Sequence, residues 1–185
     1  MSTLESDLAF LGEVTNIGAG NAATAMSTFL DATFGMDPPL VHELTIGEAT
    51  SLLGETDDES TVALLNVTGE MAGLMTLFVE DPMSFIEAMN EAAEMAMPLV
   101  EELGNIVASR FLGSVGTLTG LTGDLEPPAV ATAGRLTILQ TVLAMSAQIE
   151  PFVLLGAHMT TDHGDVDLIY TPTNETVERL KALTG

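Results

Sequence analysis

The stretch GEVTNIGAGNAATA, residues 12–25, decides how the rest of the chain is read. It is rich in alanine and free of proline, so it reads as helix. Gly18 and Gly20 nevertheless stand inside it. Each interior glycine costs a helix about 1 kcal/mol relative to alanine. Two of them, beside Glu13, Asn16 and Asn21, call for a reason.

The stretch has a second copy. EVTNIGAGNAATAMSTFLDATFGMDPPLV (13–41) lies over ELGNIVASRFLGSVGTLTGLTGDLEPPAV (102–130) at one constant, ungapped offset. Glu13 meets Glu102, Asn16 meets Asn105, and DPPLV meets EPPAV. Further on, LMTLFVEDP (74–82) resembles DVDLIYTP (165–172). Two copies and no more fit, which reads as duplication rather than a solenoid. The expectation is one domain of two repeats, about residues 1–97 and 98–185, related by a pseudo-twofold.

Each half predicts the same order of elements. A long helix comes first, over 4–33 and 98–122. Double prolines at 38–39 and 127–128 close the connection, because proline cannot continue a helix. A short strand (40–46; 129–133) and a short helix (47–54; 135–145) follow. Strand pairs at 60–67 with 72–79, and 151–159 with 165–170, come next. Closing helices are expected at Asp81-Pro82 and Thr171-Pro172, each a capping residue before a proline. Acidic GETDDES (54–60) reads as a solvated loop. The whole is an α+β domain, an antiparallel sheet with helices on its faces.

Helical geometry separates the two glycines. At about 100° per residue from Glu13, a band of about 100° to 220° holds Leu4, Leu8, Leu11, Val14, Ala22, Ala25, Met26 and Phe29. Gly18 falls inside this apolar face. The second helix places Val100, Leu103, Val107, Phe111, Val115 and Leu118 there. Small residues in one copy match large ones in the other, so Gly18 is read as a site of close helix packing across the pseudo-twofold. Gly20 lies on the opposite side with Glu13 and Asn16, at spacing i, i+3, i+7. Ser109 takes its place beside Glu102 and Asn105. A small residue one turn past each Glu–Asn pair leaves clearance for a docking molecule, with Ile17 and Ile106 flanking it. Glu and Asn on an outward helix face are usually only solvated. Asparagine is a poor helix former, however, and the same pair persists twice while most residues between have changed.

Composition sets further bounds. The 185 residues carry 27 Asp plus Glu against four Lys plus Arg, a net charge of −23. Phosphate backbones would be repelled, which excludes nucleic acid as a natural partner. Mean hydropathy of +0.38 speaks for folding rather than disorder. Such self-repulsion is tolerable in concentrated salt, and a single lysine also suits a halophilic cytosol. No cysteine is present, and three scattered histidines match no metal spacing. No apolar run suggests a membrane span. The acidic N-terminus lacks the basic start of a signal peptide. A cytoplasmic location with no membrane partner is expected.

A helix bearing Glu-x-x-Asn, with a proline 22 residues beyond the Asn, twice in one chain, resembles the CheC family of chemotaxis response-regulator phosphatases. NIGAGNAATA resembles that family's first motif closely, and the charge suggests a haloarchaeal-type member. Four residues before each glutamate, where the family often has Asp or Ser, stand Ala9 and Pro98. The resemblance implies a duplicated CheC-like fold with two long active-site helices. It implies dephosphorylation of the aspartyl phosphate of a CheY-type regulator, with a CheD-type receptor deamidase as a second partner. It carries two candidate catalytic sites onto Glu13 with Asn16, and Glu102 with Asn105. No cofactor is expected on this chain; Mg²⁺ would come with the regulator. The chemistry suits the residues. A neutral carboxamide can orient a water for in-line attack without adding negative charge beside the phosphoryl group. Glu13 and Glu102 suit docking, to a lysine of the regulator, better than general-base work. The alternative is a non-catalytic adaptor that binds CheD or CheY, like a flagellar-switch middle domain.

The charge reading makes stability salt-dependent. Lowering KCl from molar to about 0.1 M lengthens the screening distance from about 3 Å to about 10 Å, and the melting temperature should fall across that range. A flat melting temperature, followed by circular dichroism, would contradict the halophilic reading.

Overall fold

The computed structural model describes residues 3–53, 58–146 and 151–184. Helix α1 (Thr3–Leu30) leads through short strands β1 (Gly35–Met36) and β2 (Leu40–Leu44) to α2 (Ile46–Leu53). Strands β3 (Glu59–Gly69) and β4 (Gly73–Val79) precede α3 (Pro82–Ala88). The second long helix, α4 (Ala96–Thr119), is followed by β5 (Gly123–Leu125), β6 (Ala129–Gly134) and α5 (Arg135–Ser146). Strands β7 (Phe152–Thr161) and β8 (Gly164–Pro172) and helix α6 (Asn174–Lys181) close the chain.

Among the described residues, eight strands form one sheet and every pairing is antiparallel. β8 and β4 pair at its centre, flanked by β7 and β3. β2 and β1 pair along β7, and β6 and β5 along β3. Side chains alternate between the two faces along each strand. Met75, Leu77 and Val79 of β4, with Val166, Leu168 and Tyr170 of β8, meet the long helices. Leu74 and Phe78, with Ile169 and Leu154, meet α2 and α5. Both faces are therefore apolar, and both are covered by helix, as expected of an α+β domain.

On the first face, two missing β-carbons set the approach of the long helices. A Cβ on Gly18 would stand 2.7 Å from Cδ2 of Phe111. A Cβ on Gly104 would stand 2.7 Å from that of Ala63 in β3. Helix α4 thus sits close on the sheet, and α1 close on α4. Phe111 is fully buried and meets Tyr170 edge-on at 5.8 Å between centroids. The Tyr170 hydroxyl donates to the carbonyl of Met71, and burial pushes its phenol well above the usual range.

The second face is pinned by charge. Arg135, which opens α5, reaches Asp167 at 2.7 Å and lies 4.7 Å over the ring of Phe78. Nδ1 of His158 shares Asp167, also at 2.7 Å. Burial alone would lower the imidazole's pKa. The hydrogen bond to Asp167 and the charges of Asp167, Asp165 and Asp37 outweigh it, so the net shift is upward. Helix α2 begins with a reciprocal cap, in which the Thr45 backbone N–H donates to Glu48 and the Glu48 N–H to the Thr45 hydroxyl.

The structure corrects several expectations. Thr171 and Pro172 belong to β8, and α6 starts later, capped by Thr173, whose hydroxyl accepts from the Thr176 N–H. Register explains this, because Thr171 and Pro172 still pair with Leu74 and Gly73. Asp81 before Pro82 does cap α3, accepting from Ser84 at 3.1 Å. Helix α1 ends at Leu30, where Asp31 turns to φ +50°, and α4 ends at Thr119, before the left-handed Gly120. Glu59 and Ser60 lie in β3; residues 54–57 of the supposed loop fall outside the described residues. Phe29 and Leu118, assigned to the core, are 40% and 46% exposed. Both stand in the last turn of their helices. Ala25 and Leu8 are half-buried.

The two glycines of α1 should respond oppositely to one methyl group. Gly18→Ala must displace a buried ring and should cost about 1–3 kcal/mol through overpacking, against a propensity gain of about 1 kcal/mol. At Gly20 a Cβ meets nothing within 4 Å, so Gly20→Ala should gain up to about 1 kcal/mol. Urea denaturation measures both; equal shifts would contradict the close contact.

Candidate functional site

Residues three apart are neighbours on a helix surface. Glu13 and Asn16 therefore stand together on α1, and Glu102 and Asn105 on α4. Glu13, Asn16 and Glu102 are exposed, and Asn105 is half-buried. Ile17 and Ile106, expected as exposed flanks, are half-buried.

The pairs line separate grooves. Glu13 and Asn16 border one of about 450 Å³ with Gly12, Met36, Asp37, Pro38 and Pro39. Its far wall is the double-proline connection. Glu102 and Asn105 border a larger groove, about 720 Å³, between the two long helices. Its opposite wall is the second half of α1, from Asn21 through Thr24 and Thr28 to Phe29. The contact of Gly18 with Phe111 fixes the spacing of these walls.

Most other polar side chains on these helices are already engaged. Thr15, Asn21, Thr24 and Thr28 each donate to the carbonyl four residues before. Ser114, Thr117 and Thr119 do the same on α4. Asn16 and Asn105 do not, and among the described residues neither amide nor either glutamate takes an intramolecular partner. An amide left free at a groove wall offers a carbonyl acceptor and two N–H donors to a molecule from outside. Among the described residues no cluster of three His, Asp or Glu could hold a metal ion.

Sequence reasoning missed three liners of these grooves. Arg110 borders the second groove on the α4 side, and Phe29 faces it from α1. Asp37 adds a carboxylate to the first. Arg110 was detectable as one of only four cations in the chain. Phe29 was hidden by its angle, which places it among the core residues.

Residues 8–43 match the model of the CheC-like family. The matched segment runs from α1 through β2 and contains Glu13 and Asn16. Over 130 residues the chain is 30% identical to the CheY-P phosphatase CheC of Bacillus subtilis (strain 168). That alignment covers 63% of this chain and 62% of the length of the relative. The fold is similar to Thermotoga maritima FliY, with a TM-score of 0.71 at 16% identity over 96% of this chain and 95% of that one. The FliM middle domain from H. pylori gives 0.63 at 12% identity, covering 95% and 97%. A structure of the CheX-CheY-BeF3-Mg+2 complex from Borrelia burgdorferi gives 0.56 at 15% identity, covering 94% and 99%. The fold is thus that of CheC-like proteins, a mixed arrangement of helices and antiparallel sheet. No helix among the described residues is long and apolar enough to cross a membrane.

Proposed function

We propose that this chain hydrolyses the aspartyl phosphate of a CheY-type response regulator. The observation that carries the reading is a free carboxamide one turn after a free glutamate, on each of two grooved helix faces. Similarity to the CheY-P phosphatase CheC supports the substrate class. The CheX-CheY complex shares this fold and supports the partner.

An acyl phosphate is already activated, and the regulator brings the Mg²⁺ that holds it. This chain adds position. Asn16 and Asn105 each accept from and donate to a water, aligning it with the scissile P–O bond. As the water oxygen bonds to phosphorus, the acyl P–O bond breaks. The regulator's aspartate leaves as a carboxylate, and the water's proton leaves with inorganic phosphate or to solvent. Glu13 and Glu102 dock a cation of the regulator. We further read the two halves, about 1–97 and 98–185, as internal repeats about a pseudo-twofold. A CheD-type deamidase is proposed as a second partner, the charge is read as that of a halophilic protein, and the setting is proposed to be cytoplasmic. The adaptor reading draws on FliY and FliM middle domains, which share the fold; the free amides favour the enzyme.

Asn16→Ala with Asn105→Ala should abolish accelerated phosphoryl loss while binding of the phosphorylated regulator largely persists. Stability should hold or rise slightly, because alanine is the better helix former. Glu13→Ala with Glu102→Ala should instead weaken binding. Phosphoryl half-life and regulator affinity check both. A double Asn variant as fast as wild type would hand the site to the adaptor reading.

A further inference from the structure

The chain has four Lys plus Arg. Three are paired: Arg135 with Asp167, Arg179 with Glu175, and Lys181 with Glu43 and Glu178. Arg110 is exposed, and its guanidinium takes no partner among the described residues. This free cation lines the groove that holds Glu102 and Asn105. The groove of the first pair carries two carboxylates, Glu13 and Asp37, and no cation. At the position matching Arg110 in the first copy stands Asn21, whose amide donates to Ile17 at 2.9 Å.

We propose that Arg110 receives the phosphoryl oxygens of the bound regulator and makes the Asn105 groove the principal site of turnover. The inference rests on the phosphatase reading and names which site carries it. A water oriented by Asn105 must lie in line with the phosphorus, so the phosphoryl group enters the groove that Arg110 borders. In molar salt the screening distance is about 3 Å, so repulsion from distant carboxylates is muted and groups in contact decide. A guanidinium offers planar, paired donors that match phosphoryl oxygens. As charge shifts among those oxygens during transfer, a fixed cation at the groove stabilises it. The first groove, with Glu13 and Asp37, sets two negative charges against the same group. Phe29, 40% exposed on the facing helix, gives the second groove an apolar contact as well.

The test places Arg110→Gln and Arg110→Lys in the wild type, in Asn16→Ala and in Asn105→Ala. Phosphoryl loss is followed over a range of phosphorylated regulator concentrations in molar KCl. With Asn105 as the working amide, Arg110→Gln should lower kcat/KM by about tenfold or more, the scale of a lost charged hydrogen bond. Arg110→Lys should restore part of it. With Asn16 as the working amide, the loss should be much smaller. Equal loss in both backgrounds, or none in either, overturns the proposal. Affinity is read separately, for regulator with and without its phosphoryl group. Arg110→Gln should weaken binding of the phosphorylated form alone, and this holds whether or not the wild type hydrolyses it. A wild type that binds but does not hydrolyse sinks the phosphatase reading, whereas equal weakening for both forms sinks the role of Arg110.

Discussion

A missing β-carbon at residue 18 is the constraint on which the site depends. It lets the ring of Phe111 lie against the backbone of α1. Burying a side chain of that size contributes about 1.5–3 kcal/mol, which exceeds the roughly 1 kcal/mol that an interior glycine costs its helix. The same ring packs on Tyr170 of β8, whose hydroxyl ties down the Met71 carbonyl beyond β3. One contact thereby couples both long helices to the centre of the sheet. A wider spacing would open the groove in which Glu102 and Asn105 stand.

The long helices leave the two Glu–Asn pairs without intramolecular partners among the described residues and engage most of their other polar side chains. Threonines and Asn21 along α1 bond back to their own helix, whereas Asn16 does not. Arginine and lysine are treated alike, with Arg135 locking α5 to the sheet and Arg179 and Lys181 paired on α6. Arg110 is the exception, and it stands at a groove. In a chain of net charge −23, an unpaired cation is a rare favourable contact for an anion.

Much of this was legible in the sequence. The long helices, the strand pairs and the Asp81-Pro82 cap come from periodicity and local capping chemistry, which act over a few residues, and the Glu–Asn pairs come from the match between residues 13–41 and 102–130. The close packing at Gly18 came from matching small residues against large ones between the copies. What was not legible depends on contacts far apart in the chain. Strand β8 continues through Thr171 and Pro172 because β4 offers partners there. The angle of Phe29 places it on the core face, yet the angle does not tell that a groove opens beside it between the long helices. Gly104 of α4 gave no signal, since its reason is Ala63 in strand β3, far away in the sequence. The wall of the second groove joins residues from both long helices, and Arg110 enters the site only through that juxtaposition.

Turnover is the property that separates an enzyme of this fold from a binding module. The most direct measurement is the phosphoryl half-life of a purified CheY-type regulator in molar KCl, with this protein present well below the regulator's concentration. A phosphatase shortens that half-life, with many regulator molecules cleared by each molecule of the protein. A half-life left unchanged or lengthened, while the two proteins bind, would make the protein a binding module and contradict the phosphatase reading.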